Sequence, residues 1–259
     1  MRYCGSKARF MKDLAPILTK HLDGTNTFVD AFMGGANVIS YIDYPKKVGI
    51  ELNKYVFALW KEILVNSKIG VTPEHWIPET ITRKQYDFIK NGYINNDDLL
   101  PLWYNDWEIG YVGACCSFGG AWFNGYAAYN KNKKEDHIKE ARNGLIKQIN
   151  GFKYLASTTF KNMSYDEYDY PPNSVIYCDP PYADTKRYES DFNHVRFWNW
   201  AREMSSKGHY VYVSEYTAPS DFKCIWQKVK KDGMGSSRTG VSKTRIEKLF
   251  VYNGDICVQ

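Results

Sequence analysis

The chain has 259 residues, of which 44% are hydrophobic, 24% charged and 16% aromatic; that is enough for one α/β core with a smaller lobe and too little for three independent domains. No run approaches 18 consecutive apolar residues, so the composition excludes both a disordered chain and a membrane-spanning one. A net charge of +5, from 34 basic and 29 acidic side chains, names no partner by itself.

The opening Met1-Arg2-Tyr3-Cys4-Gly5-Ser6-Lys7 runs into basic sequence without an apolar signal core, so a cytoplasmic protein with thiol cysteines is expected. The six cysteines are scattered, no pair has C-x-x-C spacing, and the five histidines join them in no ligand pattern; no metal is expected. Cys115-Cys116 reads as two small buried hydrophobes rather than a redox pair. Next, Phe28 to Phe32 reads as a strand stopped by Gly34-Gly35, followed by a helix from Ala36 to Ile42 and a second strand, Lys47 to Ile50, ending in Glu51. Asn53 suits a helix N-cap, with Val56, Leu59, Trp60 and Ile63 at helical spacing behind it.

From about residue 66 to 150 the sequence turns polar and Asn- and Lys-rich, with aromatic patches and a helix from Asp136 to Ile149. It reads as an inserted lobe, 61–149, within a catalytic domain made of 1–60 and 150–259. The α/β pattern then resumes. Val175 to Cys178 is a buried-type strand, Phe197 to Met204 a helix, His209 to Ser214 a strand, and Cys224 to Val229 with Lys248 to Tyr252 a pair of edge strands. Strands alternating with helices predict a doubly wound, mostly parallel sheet, with ligands at the carboxyl ends of its strands.

Charge is concentrated in three segments. Met1 to Lys20 has five basic residues against one acid, Lys131 to Lys153 seven against three, and Lys223 to Lys248 eight against two. Interleaved with Tyr and Trp, such segments suit phosphate neutralisation and base stacking; three solvated surfaces are the alternative. Asp30 and Glu51 close consecutive strands 21 positions apart, near the spacing at which a carboxylate reaches the hydroxyls of a bound ribose. The glycines between them lack the full G-x-G-x-x-G of a pyrophosphate cradle, which disfavours an NAD-type ligand and leaves open a nucleoside without phosphates, such as S-adenosylmethionine, or an α/β fold without a ligand there.

Asp179-Pro180-Pro181-Tyr182 follows directly on a strand. Two prolines fix φ and remove two donors, leaving a rigid arm with free carbonyls; Asp179 adds a charged acceptor and Tyr182 a flat ring. This set suits a planar amino group whose two N–H bonds point at the carboxylate and at the Pro180 carbonyl while its ring stacks on Tyr182.

With these residues in view the chain resembles the N6-adenine DNA methyltransferases of the Dam type, in which D-P-P-Y at this strand end is the catalytic motif. Tyr3-x-Gly5-Ser6-Lys7 is similar to that family's N-terminal motif, Phe28 to Val38 to its cofactor glycine motif, and Glu51-Leu52-Asn53 to its acidic ribose motif. The order resembles the alpha arrangement, in which the insertion recognises the target. The resemblance implies a Rossmann-like S-adenosylmethionine-dependent methyltransferase fold. It places Tyr3, Lys7, Asp30, Phe32, Gly34, Glu51 and Asp179 at the cofactor, Gly34 by letting backbone approach the ligand. Phe160 either packs on the cofactor adenine or belongs to the core. The implied reaction is methyl transfer to a flipped-out adenine in duplex DNA, without a metal, in a bacterial cell or phage-infected host as part of restriction-modification or phage DNA methylation. The oligomeric state is not legible, monomer and weak dimer both being open.

The segment Phe123-Asn124-Gly125-Tyr126-Ala127-Ala128-Tyr129-Asn130 is similar to the Dam-type Y-N-G-L-C-R-Y-N. Asn124, Tyr126 and Asn130 are thereby expected at DNA, with Phe123 the candidate wedge into the vacated stack. Ala128 stands where the family has its guanine-reading arginine, so recognition of GATC is in doubt or falls to another residue. Lys243 and Arg245 lie in the family's basic C-terminal loop and are expected at phosphates, a solvated loop being the alternative. Two other readings stay open: the same fold acting on RNA or a protein amide, and a DNA-binding module without activity.

Overall fold

A computed structural model of the chain describes residues 1–130, 132, 134–182, 192–231 and 244–254. Lys243 therefore lies outside the described residues, as does the side chain of Arg245. In chain order the elements are α1 (Met11–Leu18), β1 (Phe28–Asp30), β2 (Lys47–Ile50), α2 (Lys54–Lys68), α3 (Pro73–Trp76), α4 (Arg83–Ile94), α5 (Leu100–Trp103), α6 (Asp106–Cys115) and α7 (His137–Gly151), then β3 (Thr159–Lys161), β4 (Val175–Cys178), α8 (His194–Ser206), β5 (Tyr210–Glu215), β6 (Phe222–Lys231) and β7 (Thr244–Tyr252). The strands belong to a mixed, mostly parallel seven-stranded sheet, the Rossmann-like α/β pattern expected. No described helix is long and apolar enough to cross a membrane. The chain divides into two compact units, Met1–Ile17 with Met33–Tyr168, and Leu18–Phe32 with Asp169–Gln259.

In the first unit β2 and β3 run parallel. Asn53 caps α2 as expected, its side chain accepting from the Tyr55 and Val56 amides, and Val56, Leu59, Trp60 and Ile63 form the buried face. Trp60 is fully enclosed, with Phe152 and Phe160 about its ring at centroid distances of 6.1 and 6.0 Å. Every residue of α6 from Ile109 to Cys115 is buried. A Cβ on Gly110 would stand 2.1 Å from the Tyr55 carbonyl oxygen, so α2 and α6 meet backbone to backbone, and only glycine permits it. Arg142 of α7, itself buried, donates to the carbonyls of Ile77 and Glu74 at 3.1 and 2.8 Å and so ties α7 to the segment around α3.

The helix expected from Ala36 to Ile42 does not form. Ala36 takes φ of 51°, a left-handed value that stops α-helical propagation, and only a 3-10 turn, Ile39–Tyr41, follows. Gln148 of α7 holds this turn from outside, donating to the Gly35 and Ala36 carbonyls at 3.0 and 2.9 Å and to the Ser40 hydroxyl at 3.1 Å. Lys47 is buried beside it and donates to the carbonyls of Ile39, Ile42 and Lys153; burial lowers its amine to about 8. Cys115 and Cys116 are free and buried, and burial raises the Cys115 thiol to about 12, which makes the pair packing rather than redox chemistry.

The second unit carries the strand order β1-β4-β5-β7-β6. β1, β4 and β5 are parallel, while β7 is antiparallel to both β5 and β6. Phe28–Asp30 and Val175–Cys178 are buried throughout, as continuous apolar runs in a parallel sheet must be. α8 buries Phe197, Trp198, Trp200, Ala201 and Met204, and its Arg202 forks onto both oxygens of Asp221 at 2.5 and 2.9 Å.

Candidate active site

The first unit brings Tyr3, Lys7, Gly34, Glu51 and Phe160 together with the segment that follows α6; the second brings together Asp30, Phe32 and Asp179 to Tyr182. Glu51 stands directly beyond β2, its amide donating to the carbonyl of Lys161, the last residue of β3. One carboxylate oxygen accepts from the Gly34 amide at 2.7 Å and the other from the Asn53 amide at 2.8 Å. The carboxylate thus ties the glycine turn to the start of α2. Burial raises it to about 7, against the opposing pull of these amides. Its remaining lone pairs suit the two hydroxyls of a ribose.

Gly34 has φ of 48°, a left-handed conformation that favours glycine. A Cβ there would lie 2.6 Å from the Tyr3 ring, and one on Gly35 would lie 2.7 Å from Tyr3 Cβ. The space a side chain would need at these two glycines is taken by Tyr3. The N-terminal segment is held over the turn by Cys4, whose amide donates to the Gly120 carbonyl at 2.9 Å. Lys7 is buried and donates to the Gly5 carbonyl at 3.0 Å. Phe160 on β3 packs on Trp60 and is buried, which favours core packing, the second of its two readings.

Phe123 corrects the expectation more sharply. It is 5% exposed, stacked on Tyr93 at 5.0 Å and set against Trp122 and Tyr86. A ring so enclosed has no free face to enter a duplex; it holds the loop by packing instead. Tyr126 is half-buried and its hydroxyl donates to the Ile81 carbonyl at 2.7 Å, while the side chain of Asn130, also half-buried, accepts from the Asn132 amide. Asn124, Ala128 and Tyr129 are the exposed members of the segment.

In the second unit Asp30 ends β1 opposite Tyr177 of β4, and Asp179 follows β4 immediately, so two carboxylates share the carboxyl ends of adjacent parallel strands. Burial, then the charges of Asp179, Asp30 and Glu247, hold the Tyr177 hydroxyl well above its usual range, and it pairs with the Ser214 hydroxyl at 2.8 Å. Tyr182 donates its hydroxyl to Glu247 Oε2 at 2.9 Å and meets the Tyr216 ring edge to face, with centroids 4.6 Å apart. Burial, with Asp179 and Glu247 nearby, also keeps the Tyr182 hydroxyl protonated. Phe32 packs edge to face against Phe192 and Phe197. Glu247 and Tyr216 were not legible as site residues in the sequence. Among the described residues, no group of His, Cys, Asp and Glu is gathered in a way that could hold a metal ion.

A mostly parallel α/β sheet with a glycine turn after β1, an acid after β2 and D-P-P-Y after β4 defines a Rossmann-like methyltransferase. Residues 3–232 match the D12 class N6 adenine-specific DNA methyltransferases, and the chain belongs to that family. It is 23% identical over 230 residues to modification methylase StsI of Streptococcus sanguinis, covering 83% of this chain and 33% of that protein. It is 27% identical over 230 residues to the retron Ec67 DNA adenine methylase of Escherichia coli, covering 83% and 75%, and 24% identical over 192 residues to the DNA adenine methylase of Escherichia coli strain K12, covering 71% and 64%. Against StsI and the similar type II methyltransferase M.FokI, the chain spans about a third of the relative's length.

Proposed function

We propose that this chain transfers a methyl group from S-adenosylmethionine to the N6 amino group of adenine in double-stranded DNA. The single observation that carries the reading is Asp179-Pro180-Pro181-Tyr182 at the carboxyl end of β4, beside Asp30 of β1. When bound, S-adenosylmethionine supplies an electrophilic methyl group on a sulfonium. The donor set suits its nucleoside: the Glu51 carboxylate is held by two amides in an orientation that leaves lone pairs for a diol, beside Tyr3 and Gly34.

The rest is done by the chain's own groups. Adenine N6 is a poor nucleophile because its lone pair is delocalised into the ring. The Asp179 carboxylate and the Pro180 carbonyl accept from its two N–H bonds, favour pyramidal nitrogen and stabilise the positive charge that develops on it. The ring stacks on Tyr182, which offsets part of the few kcal/mol needed to unstack and unpair the base. The methylated ammonium is acidic enough to lose its proton to water, so Asp179 need act only as an orienting acceptor. The polar segment 61–149 serves as the recognition lobe, with Asn124, Tyr126, Asn130, Lys243 and Arg245 as duplex contacts.

Incubation of the purified protein with duplex DNA and methyl-labelled cofactor should yield labelled N6-methyladenine; label confined to cytosine, RNA or protein overturns the proposal. Replacing Asp179→Ala should reduce transfer by about 10²–10³-fold or more with an unchanged unfolding midpoint, the scale for losing one preorganised charge-stabilising contact. Sequencing the DNA of cells expressing the gene would report base and context together.

A further inference from the structure

Glu247 lies on β7, 65 positions from Tyr182, and its side chain is withdrawn from solvent with only 2% of the residue exposed. A buried carboxylate is costly unless charge-assisted hydrogen bonds compensate it, and an apolar side chain would serve a sheet better there. Its Oε2 accepts the Tyr182 hydroxyl at 2.9 Å. The same tyrosine ring is braced on its flank by Tyr216, perpendicular to it at 4.6 Å. Tyr216 is itself held at its backbone, since its amide donates to Glu215 Oε1 at 2.7 Å at the end of β5. β5 and β7 are paired antiparallel, with Glu215 opposite Lys248, so the two braces come from neighbouring strands.

We propose that Glu247 is a positioning residue for base binding: through the Tyr182 hydroxyl it sets the plane of the ring on which the target adenine stacks, with Tyr216 as the second brace. The proposal rests on the reading of Tyr182 as the stacking platform. A tyrosine fixed at both its Cα and its hydroxyl has lost its freedom about χ1 and χ2 before the base arrives, so binding the base does not have to order it. The hydroxyl makes no bond with the base in this arrangement; its use is to be held.

The test is a double-mutant cycle of Glu247→Ala and Tyr182→Phe, read by kcat and KM for DNA and by the fluorescence of a duplex carrying 2-aminopurine at the methylated position. Glu247→Ala should lower kcat/KM for DNA by about ten- to a hundredfold, the worth of one hydrogen bond to a charged group, and reduce the 2-aminopurine signal. Calorimetry should give an unchanged Kd for S-adenosylmethionine. In the Tyr182→Phe background, where the hydroxyl is gone, Glu247→Ala should change kcat/KM by less than about twofold. Equal factors in the two backgrounds would overturn the proposal, because Glu247 would then act by some route other than Tyr182. If Glu247→Ala does not fold, Glu247→Met, which keeps the bulk of the side chain and removes the acceptor, is used in the cycle and read in the same way. Tyr182→Ala separates the two layers: wild-type kcat/KM and fluorescence in that variant would sink the stacking reading itself, and the proposal with it, whereas additivity in the cycle sinks only the role of Glu247.

Discussion

At the scale of single residues the most telling group is Glu51, whose carboxyl is raised to about 7 by burial even though two amides donate to it. A diol donates better to the ionised form, so affinity for S-adenosylmethionine should rise about tenfold per pH unit below 7 and level off above it, as calorimetry across pH 5 to 8 would show. The linkage to folding has the opposite sign. A carboxyl whose folded value lies above its unfolded one binds its proton more tightly when folded, so its contribution to stability is complete below about 4.5 and is lost as pH rises through about 7. The ligand-free protein should therefore lose stability across that window, and Glu51→Gln should flatten both the melting and the binding profiles. Phe123 shows the limit of reading one position at a time. Its place in a segment similar to the Dam-type one suggested a wedge, but a ring between Tyr93 and Trp122 is spent on packing.

Among the elements, α2 and α6 carry the first unit, and their contact depends on an absent side chain. Gly110→Ala would set a methyl 2.1 Å from the Tyr55 carbonyl oxygen, a backbone atom that cannot swing aside. Overpacking of this kind costs about 1–3 kcal/mol or more, and thermal unfolding should show a clear drop in Tm for this variant and almost none for Gly144→Ala, where nothing lies within 4 Å. Trp60→Ala should cost about 3–5 kcal/mol, since the ring is enclosed by Phe152 and Phe160. Much at this scale was legible: the strands at 28, 47 and 175, the capped α2, and α7 and α8 all follow from apolar spacing and cap chemistry. The helix expected at 36–42 gives way to a turn because apolar residues at short spacing fit either, and the left-handed φ of Ala36 is invisible in the letters. The strand β3 is not legible in the sequence because three residues with one buried position carry too little periodicity.

For the molecule as a whole, the three basic segments make DNA affinity the property most open to test. If the segments neutralise phosphates, log K should fall linearly with log salt, with a slope of about −0.9 per contacted phosphate, and a slope near zero would assign them to solvent. Asn124→Ala, an exposed change in the recognition segment, should weaken DNA binding without shifting Tm.

The amino-acid order alone determined the α/β class, the glycine turn with its acid, and D-P-P-Y after a buried strand. Each of these is written in consecutive residues, where backbone chemistry and side-chain alternation act locally. Tertiary structure decided what fills the space over Gly34, which rings are core and which are exposed, and which carboxylate holds the Tyr182 hydroxyl. Those outcomes depend on residues brought together across long stretches of chain, Tyr3 over Gly34, Gln148 under Gly35 and Glu247 on Tyr182. Closing such loops is a matter of how the whole core packs, and no local window of sequence contains it.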